Sequence, residues 1–415
     1  MAGLLMSNNA AVVLKKLNAQ LHKMSQKDIW KQALSTGFAN AKDEHWRYTK
    51  LDKFYQLDFC LSTKKSISID KVHALALTLD CYLVVFVNGY YQPLLSSQEL
   101  GSYSITDING QFEEAINSEI FQLINESFSV NAQQIRLPKN KIETKPLLLL
   151  HINNAQGKMT HSYHQLSIES GAQGVVIEQF VNLDSFETAQ FNGARCVFNI
   201  ADNASLDHYK VCVQENSYHF SHNDFHLGRD TKVRSLCFLL SGDLIRHHTS
   251  SRLKGENSHL SMHSLSLPKG KQTYDSRTYL EHQATYCQSL QIHKFIVQDQ
   301  AVGVFNGMIK VAKDAIKTDA QMQDHNLLLS DTCQINSKPQ LEIYADDVKC
   351  SHGCTTGTLN KEQIFYMQSR GISQKRAKKI LTLAFAMALT DLIKVSDLKD
   401  FVVAHIDKNL SEVKI

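Results

Sequence analysis

Between residues 146 and 350 the chain alternates apolar and polar positions in short stretches, separated by clusters of Gly, Asn, Asp and Ser. An apolar–polar period of two predicts β-strands that bury one face. Four such stretches begin at intervals of 27, 27 and 30 residues, and a second series of four lies between them. The first series comprises 205–213, 232–240, 259–267 and 289–297, and the second begins at residues 218, 242, 272 and 304.

The two interleaved series predict a mainly β fold in which strands stack from one coil to the next. One coil alone cannot bury its apolar face, but stacked coils bury a continuous core, as in a parallel β-helix, or β-solenoid. A β-sandwich also spaces its strands regularly and stays the alternative. We favour the solenoid because both series share one drift in repeat length along the chain.

Helical spacing replaces this alternation before the repeat region. Residues 1–36 carry apolar side chains at helical intervals, with Ser25 as a candidate N-cap of a second helix and Gly37 as its end. Farther along, the dipeptide Asn88-Gly89 predicts a tight hairpin turn between two short strands.

A further helix is predicted over residues 106–128, with Thr106 or Asp107 as its N-cap. The reason is the recurrence of apolar side chains at every fourth position. These side chains are Phe112, Ile116, Ile120 and Ile124.

The period becomes helical again after the repeat region. Asn360, with Gln363 three residues later, predicts a helix start, and Gly371 predicts its end. Ser373 begins a second helix and Ser396 a third, which runs to about residue 409. The buried stripe predicted for the second helix is Ala377, Ile380, Leu381, Ala384, Ala388 and Leu392.

These patterns divide the chain into three predicted domains. They are a mixed, largely helical N-terminal domain at 1–145, a β-helix core at 146–357 and a helical C-terminal domain at 358–415. A domain at each end of a solenoid shields the strand edges that its terminal coils would otherwise expose.

The composition limits the partners and the cellular compartment that we expect for this chain. The chain has 415 residues with a net charge of +3, which is too close to balance to indicate a nucleic-acid partner. Nine cysteines make an odd number in a large chain, so we expect reduced thiols and a cytoplasmic location rather than a disulfide framework. We expect no membrane span, because the longest apolar runs are far shorter than about 20 residues.

Familiar catalytic motifs are missing from the sequence. It contains no P-loop, no GxGxxG after a strand, and no GxSxG, HExxH or CxxC. We therefore expect neither ATP binding nor catalysis by this chain. Carboxylates are spread through the repeat region, so a β-solenoid enzyme acting on polysaccharide is the enzyme alternative.

Two groups of possible metal ligands remain. In KCSHGC, Cys350, His352 and Cys354 occupy every second position, so an extended strand directs them to one face. Same-face neighbours on a strand lie about 6.5–7 Å apart, too far for all three to bind one ion unless Gly353 breaks the strand. We therefore expect an incomplete site that a partner completes. His247-His248 are also adjacent, but no third and fourth ligand can be assigned to them.

Longer strings carry a family resemblance. QLEIYADDVKCSHGCTTG (340–357) and EQIFYMQSRGIS (362–373) resemble the SufB/SufD family of iron–sulfur cluster assembly proteins. The run 279–331 extends the match, and EHWRYTKLDKF (44–54) is similar to an element typical of the SufD branch. The SufB branch has a cysteine within the NLLLSD region, whereas here Cys333 lies just beyond it.

The resemblance implies a right-handed parallel β-helix flanked by helical domains, and a non-catalytic scaffold within a SufBCD complex. It implies contact with SufB at one end of the β-helix and with the ABC-type ATPase SufC through the C-terminal helices. The residues it assigns to the ATPase contact are Phe365, Tyr366, Ser369, Arg370, Gly371, Arg376 and Lys379. A homodimer that handles iron without SufB stays open.

The resemblance also implies a role for the CSHG string. Cys350 and His352 match the family's interface cysteine and histidine, so they are predicted to serve a transient iron–sulfur cluster shared with SufB. Two positions depart from the family pattern: Cys354 stands where Ala is usual, and Thr356 where Val is usual. We interpret Cys354 as a small-residue replacement and only a weak candidate ligand.

Overall fold

The alternating stretches form strands, and they lie where the spacing predicts them. The computed structural model describes residues 8–21, 26–38, 43–108, 111–154, 157–184 and 187–411. Fifteen strands, β6 to β20, follow one another from residue 147 onward without an intervening helix in the described chain. They are β6 Leu147–Asn153, β7 Lys158–Ile168, β8 Gln173–Asn182, β9 Gln190–Ile200, β10 Ser205–Val213, β11 Ser217–Leu227, β12 Lys232–Ser241, β13 Leu244–Leu253, β14 His259–Ser266, β15 Thr273–His282, β16 Gln288–Val297, β17 Val302–Val311, β18 Asp319–Leu328, β19 Gln334–Ile343 and β20 Lys349–Thr358.

Each strand from β6 to β18 pairs in parallel with the strand one coil before it and the strand one coil after it, and β19 and β20 end the two sheets. Even-numbered strands form one sheet and odd-numbered strands form the other. The register is continuous, since Ser205 pairs with Lys232, Lys232 with His259 and His259 with Gln288. The result is a parallel β-solenoid of about eight coils, which confirms the predicted fold class.

One turn of each coil repeats a left-handed backbone conformation. Asn, Asp and Gly adopt this conformation most readily, which explains the polar clusters that separate the strands in the sequence. The residues with positive φ at this turn are Asn140, Gly171, Asn203, Asp230, Asn257, Tyr286 and Lys317. Successive turns also bond to one another, since the Asn257 side-chain amide donates to Asp230 over 2.7 Å.

The solenoid interior is apolar near the turns and polar along part of its length. Leu, Val, Phe and Cys side chains from the two sheets form one continuous buried cluster. Within it Glu178 is buried and accepts from the Lys210 ammonium over 3.4 Å and from the Asn223 amide over 2.7 Å. The Glu178 carboxylate therefore has partners in adjacent coils, as a buried charge requires.

The segment before residue 146 contributes both helices and strands. Short 3₁₀-helices occupy Phe54–Gln56 and Pro93–Leu95. The other elements are α1 Asn8–Asn18, α2 Lys27–Thr36, β1 Cys60–Leu61, α3 Ile69–Leu75, β2 Tyr82–Val87, β3 Tyr90–Tyr91, β4 Ser104–Asp107, α4 Ile120–Phe128 and β5 Gln133–Leu137. Strands β2 and β5 extend the two sheets, because β2 pairs with β6 and β5 with β7.

Two local predictions in this segment are confirmed. Gly37 ends α2 with a φ of 68°, and its amide donates to the Ala33 carbonyl over 2.9 Å. Asn88 and Gly89 form the turn of the β2–β3 hairpin with φ values of 54° and 82°. Ser25, the predicted cap of α2, lies outside the described residues.

The predicted helix over 106–128 is wrong in its first half. Residues 104–107 form β4, which pairs antiparallel with β5, and the helix begins only at Ile120. All nine residues of α4 are buried, because it lies between the N-terminal helices and the outer face of the odd-numbered sheet. Phe112 instead packs edge-on against Tyr163 of β7. Tertiary contacts therefore override the four-residue spacing here.

The C-terminal helices are α5 Lys361–Ser369, α6 Gln374–Thr390 and α7 Ser396–Ser411. The Asn360 side chain accepts from the amides of Glu362 and Gln363, and Ser373 accepts from the amide of Arg376. Both predicted N-caps are thus confirmed. Helices α6 and α7 pack on the outer face of the even-numbered sheet through one apolar cluster.

The buried stripe predicted for α6 is wrong at three of its six positions. Ala377 is buried as expected and Leu381 and Leu392 are half-buried, whereas Ile380, Ala384 and Ala388 are exposed. The residues that α6 buries are Ala377, Thr382, Ala386, Leu389 and Thr390. The helix is thus rotated relative to the prediction and leaves apolar side chains at its surface. No described helix is both long enough and apolar enough to cross a bilayer.

Candidate functional site

The last coil of the solenoid ends in two open strand edges. Strand β19 terminates one sheet and β20 terminates the other, and no described strand pairs with their outer edges. The side chains of β20 are almost all exposed, in contrast to the buried strands of the inner coils. An exposed edge of this kind offers unpaired backbone donors and acceptors to another chain.

Strand β20 places the three candidate ligands on one face. Cys350, His352 and Cys354 pair in register with Ala320, Met322 and Asp324 of β18, which are all fully buried. The three candidate ligands therefore extend the row of inward-facing side chains into the last coil, where that row reaches solvent.

The three side chains differ in exposure. Cys350 is half-buried and packs against the core of the solenoid, and burial raises the pKa of its thiol. His352 and Cys354 are exposed. A reactive thiolate at Cys350 therefore requires a change in surroundings, such as a metal ion or a cationic partner group.

Cys354 has neighbours that the sequence did not reveal. Its Sγ lies 3.5 Å from Oδ2 of Asp324 and 3.8 Å from the side-chain nitrogen of Asn326. Burial raises the pKa of Asp324, although its hydrogen bonds oppose this shift. Asp324 precedes Cys354 by one coil of 30 residues, so extrapolating the repeat length would have found this pair.

The geometry does not support a complete site for one ion in this chain. Strand β20 runs unbroken through Gly353. Within the described chain, one set of three His, Cys, Asp or Glu donor atoms lies within 4.8 Å, and it does not include Cys350, His352 and Cys354. The arrangement can therefore supply one or two ligands to a site completed by other groups.

The predicted ATPase-contact residues lie on and beside α5. Phe365 and Tyr366 are 73% and 60% exposed, large values for aromatic side chains. The Arg370 guanidinium lies 5.4 Å from the Tyr366 ring and donates to its hydroxyl. Ser369, Gly371 and Arg376 are exposed, and Lys379 forms a 2.7 Å ion pair with Asp407.

The two predicted sites are adjacent in the chain. Only Leu359 and Asn360 separate the end of β20 from the start of α5. Helix α6 is tied to the solenoid, since the Lys294 ammonium donates to the Phe385 carbonyl over 2.8 Å. Helix α5 therefore connects the open edge strand β20 to a helix that is fixed on the outer face of the sheet.

Cys333 does not belong to this open site. It is 7% exposed, and its thiol donates to the Ser330 carbonyl over 3.1 Å. It lies in the turn between β18 and β19 and belongs to the apolar interior cluster of the solenoid. Its position just past NLLLSD is thus occupied by a buried thiol in this chain.

Comparison with known proteins places the chain in a family. The family model described as "SUF system FeS cluster assembly, SufBD core domain" matches residues 151–385. The iron–sulfur cluster assembly protein SufD of Escherichia coli is 43% identical over 387 residues, which cover 91% of each chain. A SufBD family protein of Synechocystis is 26% identical and covers 86% of this chain and 84% of its own. The chloroplastic protein ABCI7 of Arabidopsis thaliana is 25% identical, covering 90% and 83%. The chain therefore belongs to the SufB/SufD family of iron–sulfur cluster assembly proteins, and within it to the SufD branch.

Proposed function

We propose that this chain is a non-catalytic scaffold subunit of a cytoplasmic complex with SufB and the ATPase SufC. The observation that carries the proposal is the open last coil, in which half-buried Cys350 and exposed His352 sit on an edge strand that leads directly into α5. Family membership supports iron–sulfur assembly over the polysaccharide-acting alternative. All nine cysteines are free, as a reducing compartment requires.

The open coil suits a heterodimer with SufB. A second strand edge can pair with β20, and a transient iron–sulfur cluster would then take Cys350 or His352 from this chain and further thiolates from SufB. Imidazole is a more labile ligand than thiolate because it can be protonated, which suits a site that releases its cluster. Cys354 stays a weaker candidate, as its thiol already contacts Asp324.

The exposed surface of α5 suits the ATPase. Phe365 and Tyr366 offer aromatic contact area, and the predicted polar positions around them are Ser369, Arg370, Gly371, Arg376 and Lys379. Aromatic and arginine side chains dominate the energetics of many interfaces. The sequence has no P-loop, so in this proposal ATP binds to SufC alone, and its movement is transmitted through α5 to β20.

We retain the predicted domain division as part of this proposal. Residues 1–145 close the start of the solenoid, residues 146–357 form the scaffold, and residues 358–415 dock the ATPase. The division assigns one partner contact to each side of the junction at residue 358.

Co-expression with SufB and SufC tests the assembly. We expect the three chains to co-elute from size exclusion. We expect His352→Ala to leave the complex intact but to lower the cluster yield measured by absorption after anaerobic reconstitution. Thr356→Ala is the matched control, because Thr356 is exposed on the same strand and the same face. Equal cluster yields in both variants would remove His352 from the mechanism.

The ATPase contact needs its own test. The double variant Phe365→Ala, Tyr366→Ala should lose SufC while retaining SufB. Leu94→Ala is the control, since Leu94 is 91% exposed in a different part of the chain. If SufC still co-elutes with the double variant, α5 is not its binding surface. If the lone chain instead forms a stable dimer that excludes SufB, the homodimer alternative replaces the proposal.

A further inference from the structure

Three buried side chains converge where α4 packs on the outer face of the odd-numbered sheet. They are Glu119, His222 and His248, and one ligand atom of each lies within 4.8 Å of the other two. His222 and His248 occupy paired positions on adjacent coils, and Glu119 immediately precedes α4. No further ligands could be assigned to His248 from the sequence, but the stacking of coils and the docking of α4 bring two beside it.

The imidazoles are oriented as metal ligands usually are. Nε2 of His222 lies 3.2 Å from Oδ1 of Asp224, so this nitrogen carries the hydrogen that the carboxylate accepts. Nε2 of His248 lies 3.2 Å from the Ser250 hydroxyl. Nδ1 of both rings is buried and has no hydrogen-bond partner among the residues that the structure describes. A ligating histidine commonly binds the metal through one nitrogen and a carboxylate or hydroxyl through the other.

The carboxylate is also held in place. Oε2 of Glu119 lies 3.0 Å from the Arg246 guanidinium, 3.5 Å from that of Arg277 and 4.0 Å from Nδ1 of His248. Asp275 forms a second ion pair with Arg246 and so offsets its charge at this position. Glu119 is thus an ordered carboxylate with one oxygen within 4.8 Å of a ring nitrogen of each histidine.

We propose that Glu119, His222 and His248 bind a divalent transition-metal ion of borderline softness, such as Zn²⁺ or Fe²⁺. Two imidazoles and one carboxylate suit such ions and leave a coordination position open. Ligands of a tetrahedral ion with bonds of about 2.1 Å lie roughly 3.4 Å apart, so the donor atoms draw together on binding. A cavity of about 440 Å³ reaches Glu119, which lines it together with Trp46 and Arg277, whereas the two histidines do not line it. The ion would clip α4 to two coils.

Cobalt binding tests this site independently of the open last coil. The protein is the full chain with Cys350→Ser, His352→Ala and Cys354→Ser, stripped with a chelator and titrated anaerobically with Co²⁺. We expect one equivalent to bind with visible d–d absorption and without thiolate charge-transfer bands. His222→Gln and His248→Gln should each weaken binding more than tenfold. His263→Gln is the control, because His263 is buried and has an unpartnered Nδ1 but belongs to no donor cluster in the described chain.

Several outcomes would overturn the proposal. The first is a Co²⁺ titration of the protein that is no different from a titration of the buffer alone. The others are an unchanged Co²⁺ affinity in His248→Gln, or a loss of affinity in His263→Gln as large as that in His222→Gln and His248→Gln. If a histidine variant fails to fold, crystals of the starting chain soaked in Co²⁺ decide the question by anomalous scattering. A peak between His222 and His248 supports the site, and its absence rejects it.

Discussion

Arg246→Leu is predicted to destabilise the packing of the EHWRYT element, residues 44–49, against the solenoid. Arg246 is 1% exposed on β13 and forms ion pairs with Asp275 and Glu119, which are also buried. Its guanidinium lies 3.8 Å from the centre of the Trp46 ring and donates to the His45 carbonyl over 3.3 Å. This side chain is therefore one of the contacts that hold the EHWRYT element of the sequence against the sheet, together with the Thr49 hydrogen bond to Asp275.

The expected loss follows from the groups left behind. Removing one partner from a buried ion pair lowers stability by about 3–5 kcal/mol, because the remaining charge stays buried without compensation. Leu fills part of the space against Trp46 but pairs with neither carboxylate. Arg252→Leu is the matched control on the same strand. The Arg252 side chain forms an ion pair with Glu281 and is 29% exposed, so we expect its loss to lower the free energy of unfolding by about 0–1 kcal/mol.

Tryptophan fluorescence during urea unfolding measures this loss. The chain has two tryptophans, Trp30 and Trp46, and both are buried in the cluster that joins the N-terminal segment to the solenoid. The emission therefore reports on that junction. We expect a much lower midpoint for Arg246→Leu than for Arg252→Leu. Equal midpoints would refute the assignment of Arg246 as an anchor.

The loss should also depend on pH. Burial alone raises the pKa of Glu119, but Arg246 and Arg277 outweigh it and hold the pKa below its usual value. Without Arg246 the burial remains, so Glu119 binds a proton more readily in the folded variant. The stability difference between the variant and the unmodified chain should therefore be largest near pH 7–8 and smaller near pH 5. A difference that grows with acidity would contradict this reasoning.

Three further outcomes are expected. Burial lowers the pKa values of five histidines to about 3 or 4, so the unfolded chain binds more protons than the folded chain below pH 6.5. Each of these histidines should therefore reduce the free energy of unfolding by about 2 kcal/mol between pH 8 and pH 5. Urea midpoints that do not change over this range would disprove the expectation. Asn360→Ala should reduce the stability of α5 by about 1 kcal/mol through loss of its cap, seen as faster amide exchange at Glu362 and Gln363. Gly255→Ala should lower the thermal midpoint, because an added Cβ would lie 2.1 Å from the Arg229 nitrogen. Gly357→Ala is the control and should not lower it, because an added Cβ there meets nothing within 4 Å. Equal midpoints would show that the turn at Gly255 adjusts. The histidines are His161, His164, His219, His282 and His293.

The open last coil was predictable in outline from local signals. Period-two alternation located the strands, and the caps Asn360 and Ser373 located the helices, because both signals depend on neighbouring residues. The single-face arrangement of Cys350, His352 and Cys354 also follows from strand geometry alone. The contact between Cys354 and Asp324 does not, since it requires the register between coils.

The rotation of α6 is a second feature that local sequence signals do not predict. Its sequence offers more than one apolar face, and the choice depends on which face meets the outer surface of the even-numbered sheet. The prediction selected Ile380 and Ala384, which the structure leaves exposed. Helical period alone cannot identify the packing partner.

By itself, the sequence determined the repeating strands, their parallel stacking and the chemistry carried by the last coil. The reason is that each repeat contains the same local alternation of apolar and polar positions. Only the tertiary structure decided that residues 104–107 form a strand, that α4 is buried on every side, and that Glu119 meets His222 and His248. These features join positions that are distant in sequence: residues 104–107 pair with 133–136, and Glu119 meets histidines more than 100 residues away. They arise from the burial of apolar surface between segments, which no pattern within a single segment records.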